Sequence, residues 1–298
     1  MRIAITGSSG LIGSALAPHL RAQGHEVIRV LRGPASGDDI SWGANADSLD
    51  PGELAGIDAV VHLAGAGIGD RRWSESYKET IRASRVKPTE MLATAIAQAD
   101  NGPRIFLSGS AIGIYGSGDD PMDESTPAGE GFLADVCREW EDAAHAASDA
   151  GCRVTYLRTG IVLSTRGGAL RKQLPLFRLG LGGRMGSGRQ WQSWISLTDE
   201  VRAIEYLLTA DASGPVNLTA PHPVTNAEFT TQLGKAVRRP TVFPVPSFGP
   251  RLLLGSELAD NLLFSGQRVV PKVLSDAGFT FDHPTLDVAL PALLGAKI

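Results

Sequence analysis

The chain opens MRIAITGSSGLIG. An apolar run, Ile3-Ala4-Ile5, leads into Thr6, and glycines then recur at Gly7, Gly10 and Gly13. An amphipathic stretch, Leu11 to Gln23, follows with no linker. Strand, glycine turn and helix in immediate succession leave few folds open. Glycine lets the backbone take angles forbidden to a Cβ and lets it approach a ligand closely. The helix that begins there offers unpaired N–H groups and the positive end of its dipole, which suit a pyrophosphate. The spacing is Gly-x-x-Gly-x-x-Gly rather than the more general Gly-x-Gly-x-x-Gly. A glycine triplet alone is weak; placed between a strand and a helix it predicts a dinucleotide turn formed by Gly7, Ser8, Ser9, Gly10, Leu11, Ile12 and Gly13. The alternative is a structural turn with no ligand.

Bulk properties narrow the classes. A chain of 298 residues accommodates one large α/β domain and a smaller appendage. Its 43% hydrophobic and 20% charged residues suit a globular protein. A formal charge of −4 favours neither nucleic acid nor an anionic membrane as partner. Two cysteines, Cys137 and Cys152, suggest no disulfide framework and no metal cluster. No run approaches the roughly 18 apolar residues of a membrane span. The first residues read as a core strand rather than a signal peptide, so a reducing cytoplasm is the expected compartment.

Further along, His25 to Leu31 reads as a second strand, followed by Arg32. An acidic residue at this point binds the adenosine ribose hydroxyls, whereas an arginine accommodates a 2′-phosphate. Val30, Leu31 and Arg32 include no acid, so NADP(H) is expected over NAD(H). A solvated surface arginine is the bland alternative. Residues 33–56 read as loop with one short strand near Ile40-Ser41-Trp42. Ala59 to Gly65 reads as a buried parallel strand whose C-terminal end, Leu63, Ala64 and Gly65, lies beside the cofactor. His62 inside it reads as a packed core histidine. A long helix is expected from Trp73 to Ala99, with Lys78, Arg82, Arg85 and Lys87 either facing solvent or turning Arg82 or Arg85 to the cleft. The next strand, from Arg104, ends in SGSAIGIYG, Ser108 to Gly116.

With that segment the chain resembles the extended short-chain dehydrogenase/reductases, the class of nucleotide-sugar epimerases and dehydratases. TGSSGLIG (Thr6 to Gly13), HLAG (His62 to Gly65), SGSAIGIYG, YLRTGIVLS (Tyr156 to Ser164), SWISLTDEV (Ser193 to Val201) and NLTAPHPVTNAEF (Asn217 to Phe229) carry the resemblance in order along nearly the whole chain. It implies a Rossmann-type doubly wound parallel sheet with a small mixed α/β substrate domain. Residues 1–165, completed by segments near 193–220, are expected to form the NADP-binding domain, and residues 166–298 mainly the substrate domain. It also implies cofactor contacts at Ser108, Thr159, Gly160 and Ile161, and a homodimer through the helices at 73–99 and 131–150.

The usual proton-transfer pair of that class, Tyr-x-x-x-Lys, is absent. Aligned on Glu141 in GEGFLADVCREWEDAAHAA (Gly129 to Ala147), its positions hold Leu133 and Cys137. Leu133 transfers no proton, and Cys137 reads as an inert buried thiol. The pattern is similar to an atypical branch labelled "epimerase family protein" and likened by name to a cell-division inhibitor. Ser110 then becomes the expected hydrogen-bond donor to a substrate carbonyl, with Tyr115 second, as proton donor or cavity wall. Asp123 and Glu124 follow as acid–base candidates or a solvated loop.

Beyond a helix expected over 131–150, residues 167–192 form a Gly- and Arg-rich loop. Arg184 and Arg189 either hold an anionic substrate or face solvent. Gln190, Gln192 and Trp194 are expected to line the same cavity, and Asp199 to cap a helix. Thr225 or Asn226 with Glu228 reads as a helix cap. These readings lead to an NADP(H)-dependent oxidoreductase or epimerase-like enzyme acting on a small-molecule substrate. The alternative is a non-catalytic NADP(H) sensor.

Overall fold

The computed structural model describes residues 1–43 and 48–295, so residues 44–47 of the expected 33–56 loop lie outside the described residues. Seven parallel strands form the central sheet: β1 (Arg2–Thr6), β2 (Glu26–Leu31), β3 (Ile40–Ser41), β4 (Ala59–His62), β5 (Ile105–Ala111), and two contributed later in the chain. A peripheral strand, β6 (Gly118–Met122), precedes the first of these, β7 (Arg153–Thr159). Short strands β8 (Ile161–Leu163), β9 (Trp191–Gln192) and β10 (Trp194–Ser196) precede the second, β11 (Gly214–Leu218). The sheet order is β3-β2-β1-β4-β5-β7-β11. The order therefore reverses between β1 and β4, the place where doubly wound sheets bind ligands beyond the C-terminal strand ends. The expected Rossmann-type sheet is present.

The sheet is sandwiched because successive residues of each strand bury opposite ways. Ile3, Ile5, Val61, Leu107 and Leu157 meet α1 (Gly13–Ala22) and a later helix on one face. Ala4, Ile28, Val60, Phe106 and Val154 meet α2 (Glu75–Gln98) on the other. Ser74 caps α2 by accepting the Tyr77 amide. The helix expected over 131–150 is two helices, α3 (Phe132–Asp142) and α4 (His145–Asp149). At the break the Ala144 amide bonds back three residues to Glu141, tightening the turn, and Ala144 and Ala147 pack into the core.

A second core holds the remainder together. Leu170, Leu174 and Phe177 of α5 (Gly168–Arg178) meet Phe229 and Leu233, with Trp194 fully buried among them. The helix after β10 is α6 (Leu197–Thr209) and completes the first face of the sheet. Its cap is Ser196, whose hydroxyl accepts the Asp199 amide, rather than Asp199 itself. Asp199 instead accepts the amides of Asp282 and His283 and ties the C-terminal segment down. Strand β12 (Val224–Thr225) leads into α7 (Asn226–Val237), where Thr225 and Glu228 form a reciprocal capping box.

The last part of the chain supplies α8 (Phe248–Leu254), α9 (Ser256–Ala259), a π-helical turn at Asp260–Phe264, β13 (Gln267–Val269), α10 (Lys272–Asp276) and α11 (Leu286–Leu294). β13 pairs with β6. Among the described residues no helix is long and apolar enough to cross a membrane.

Candidate functional site

Thr6 organises the cleft at the strand reversal. Its hydroxyl oxygen accepts the amides of Leu63 and Ala64 at 3.1 and 3.2 Å. Its own hydrogen is therefore directed to His62 Nδ1, 2.7 Å away. Burial pushes the His62 pKa down to about 3, so the ring is neutral and structural. This junction bends Leu63-Ala64 over the glycine turn. Gly7 has φ +65°, and a Cβ there would lie 2.7 Å from Leu63 backbone atoms. A Cβ on Gly13 would lie 2.3 Å from the Gly7 oxygen. No side chain caps α1 at Ile12. The Ser14 and Ala15 amides bond the Gly10 and Ile12 carbonyls, and the amides of Leu11, Ile12 and Gly13 ahead of them are the ones left for a ligand.

The cleft measures about 360 Å³. It is lined by Gly7, Ser8, Ser9 and Gly10 on one side and by Leu63, Ala64 and Gly65 on the other. Arg32 stands at its edge, exposed. These residues fit a dinucleotide. The backbone is pared to glycine where two loops approach, amides just ahead of α1 are uncapped, and the Arg32 cation stands at the rim. Leu11 packs on Gly167 and Gly168 instead of lining the cleft, and Ser108 is wholly buried in β5 with its hydroxyl unpartnered.

A second cavity of about 320 Å³ lies beyond α2. The helix presents Thr80 and Ser84 to the first cleft and Ile81 and Arg85 to the second. Thr159, Gly160 and Ile161 line this inner cavity, as do Ser110, Gln190 and Gln192. So do Leu133 and Cys137, at the positions where the phenol and ammonium are missing. Burial pushes the Cys137 thiol up to about 12, which leaves it uncharged and inert.

Beneath the cavity lies a buried polar chain. Ser110 donates to Glu141 Oε1 at 2.6 Å. Arg158 donates to both Glu141 oxygens, each at 2.8 Å, and to the Tyr115 hydroxyl at 2.9 Å. Tyr115 in turn donates to Asn217 Oδ1 at 2.7 Å. Tyr115 is 4% exposed and lies outside the cavity lining, and burial raises its pKa further. Ser110 is 5% exposed, but the cavity reaches it. With its hydrogen directed to Glu141, the oxygen presents lone pairs to the cavity.

Other sequence-predicted residues lie elsewhere. Arg82 pairs with Glu139 at 3.1 Å on a half-exposed surface. Arg184 and Arg189 are exposed, and Arg184 bonds the Ser187 carbonyl. Trp194 is fully buried, its indole N–H on the His222 carbonyl. Glu124 is no solvated loop residue: its carboxylate accepts the amides of Asn217 and Val273. Sequence reasoning missed Trp140, Trp191, Asn261 and Gln267, which also line the cavity. Trp191 carried a signal, since it sits in the Gly- and Arg-rich stretch; Asn261 and Gln267 carried none, because they reach the cavity through the π-helical turn and β13.

Comparison with known proteins gives a consistent picture. Residues 3–219 match the NAD dependent epimerase/dehydratase family, and residues 245–293 match a domain of unknown function, DUF1731. An epimerase family protein of Mycobacterium bovis is 50% identical, over 97% of this chain and 96% of that protein. A chloroplastic epimerase family protein of Arabidopsis thaliana is 36% identical, over 99% of this chain and 87% of that one. The crystal structure of human epimerase family protein SDR39U1 (isoform 2) with NADPH superposes with a TM-score of 0.92, at 34% identity, covering all of both chains.

Proposed function

The chain belongs to the NAD dependent epimerase/dehydratase family, and from that membership we propose that it binds NADP(H) and works as an oxidoreductase or epimerase-like enzyme on a small carbonyl or hydroxyl substrate. The observation that carries the reading is the shared wall of the two cavities. A dinucleotide laid over Gly7 to Gly13, with Arg32 against its 2′-phosphate, has its other end directed past Ala64-Gly65 toward Thr159-Gly160-Ile161. The NADPH-bound human relative supports this choice of cofactor.

When bound, the nicotinamide supplies or accepts the hydride. The chain's own contribution is placement and proton handling. Thr159, Gly160 and Ile161 hold the reacting end of the cavity. Ser110 accepts a hydrogen bond from a substrate hydroxyl while its own hydrogen stays on Glu141, which Arg158 holds in place. Tyr115 acts from behind, through Arg158. Leu133 and Cys137 exclude water. Gln190 and Gln192 contribute to specificity, and Trp194 supports them from the core. A homodimer through the outer faces of α2, α3 and α4, read by sedimentation velocity, is part of the same proposal, and so is the cytoplasm as its compartment.

Nicotinamide fluorescence titration tests the cofactor. Wild-type protein is expected to prefer NADPH over NADH by about ten- to a hundredfold, the worth of one charge-assisted hydrogen bond. Arg32→Glu should erase that preference; an unchanged ratio sinks the role of Arg32. NADPH deuterated at C4, mixed with protein and a metabolite extract, tests the chemistry by mass spectrometry. Deuterium should appear in a metabolite, and Ser110→Ala should suppress the transfer while NADPH still binds. A sensor is the second reading, favoured by Leu133 and Cys137. It gains if NADPH binds, no deuterium moves, and Ser110→Ala changes nothing.

A further inference from the structure

Arg85 is the only charged side chain among the described residues that line the inner cavity. Two other cations of α2 have carboxylate partners, Lys78 with Glu75 and Glu257 and Arg82 with Glu139, while Lys87 is exposed. Arg85 has none among the described residues. One guanidinium nitrogen donates to the Ile81 carbonyl at 3.0 Å and the other to the Ala66 carbonyl at 2.9 Å. Its Cζ lies 5.1 Å from the centre of the Trp140 ring. Carbonyls and an indole face orient a guanidinium but do not neutralise it. A guanidinium has five N–H donors, so some remain for a ligand. Burial disfavours its charge, and that penalty persists until an anion arrives.

The rest of the lining decides which anion. Gln190 donates its amide to the Met185 and Leu263 carbonyls. Gln267 donates to the Ile112 carbonyl. These amides are committed to holding the cavity's own backbone. The remaining wall is dominated by Ile81, Leu133, Val136, Trp140, Trp191 and Leu262. A diphosphate wants several cations or free amides around it. Here one guanidinium faces an apolar chamber of about 320 Å³, near the small end of ligand sites.

We propose that the inner cavity takes a small apolar monocarboxylate bearing the reacting carbonyl or hydroxyl group, held by Arg85, and not a nucleotide sugar. This rests on the NADP(H) reading above and narrows its substrate class. The carboxylate lies against Arg85 and the apolar body against Trp140 and Leu133. The opposite end of the molecule reaches Ser110.

The test is ligand-induced thermal stabilisation, run with and without saturating NADPH. The probes are benzoate, phenylacetate, hexanoate and levulinate, their uncharged amides, phenyl phosphate and UDP-glucose. At least one monocarboxylate should raise the Tm, while its amide, phenyl phosphate and UDP-glucose should not. In Arg85→Met that carboxylate should bind about tenfold more weakly or worse. NADPH affinity should stay within about threefold of wild type, since Arg85 lines the inner cavity and is not among the residues lining the nucleotide cleft. Loss of a half-buried charge that has no carboxylate partner should leave the ligand-free Tm of Arg85→Met equal or higher, so misfolding is read directly. Arg85→Gln provides the second variant, with the same expectation for the carboxylate. The proposal is overturned if no monocarboxylate stabilises the protein, if UDP-glucose or phenyl phosphate does so better, or if the variants bind the carboxylate unchanged. It is also overturned if Arg85→Met loses NADPH affinity as steeply, because the guanidinium then serves the cofactor. Failure of wild-type protein to bind NADPH is a separate result. It removes the cofactor reading, and the carboxylate arm without NADPH still decides the role of Arg85.

Discussion

His62 and Glu200 are both sealed from solvent and held in their uncharged forms, and they tilt stability in opposite directions with pH. His62 titrates near 3 when folded against an ordinary value of 6.5, because burial disfavours its cation. Below about 6.5 the unfolded chain takes up a proton that the folded chain refuses, so stability falls as acid is added. Glu200 has its pKa raised by burial from 4.5 to about 8, with Thr159 donating to one oxygen at 3.0 Å. Between those values the unfolded chain releases a proton that the folded chain keeps, so this group lowers stability as pH rises. Glu200→Gln should remove that second slope. Urea midpoints of wild type and variant should converge near pH 4.5 and separate toward pH 8, with the variant higher. Parallel profiles would show that Glu200 is ionised in the fold. His62 was legible as a core residue because apolar neighbours flank it on its strand. Glu200 was not, because nothing around SWISLTDEV reveals that its α6 side chain is enclosed against β7.

Helix α3 shows how an element can keep its place while its chemistry changes. Its cavity side carries Leu133, Val136, Cys137 and Trp140, and Glu141 completes the buried polar chain. Glu141 and Arg158 are respectively 8% and 8% exposed and share two short hydrogen bonds, so neither is tolerable without the other. Removing one partner of such a pair costs about 3–5 kcal/mol. Glu141→Gln and Arg158→Met should each approach that loss in urea unfolding. The double variant should be less destabilised than the sum of the two, because the second change removes an already uncompensated group. Strict additivity would show that the two act independently. The helix itself and the missing phenol–ammonium pair were readable from FLADVCREWE. The Tyr115–Asn217 bond was not, because it joins residues 102 positions apart and leaves no periodic trace. Tyr115 therefore looked from sequence like a group free to face substrate.

For the molecule as a whole, the sheet was the most legible part, since β1, β2 and β4 are short apolar runs and the glycine turn fixes where the first one ends. The second core was harder to read. Trp194 looked like a cavity residue because it follows the Gly- and Arg-rich stretch, yet it is the centre around which Leu163, Phe177 and Phe229 gather. NADPH at about a hundred times its Kd should add about 2.7 kcal/mol to unfolding by mass action alone. Calorimetry at several NADPH concentrations should follow that logarithmic dependence. A Tm indifferent to NADPH would contradict binding to the native state. The two cavities are also completed at different moments of the chain's synthesis. Every described residue lining the nucleotide cleft falls between Gly7 and Pro88, whereas the inner cavity draws on residues from Ile68 as far as Gln267. As the chain emerges amino-terminus first, the described lining of the glycine-turn cleft is all present while the inner cavity still lacks part of its wall. A nascent chain halted before Asn261 would carry every described residue of the first cavity and lack part of the wall of the second.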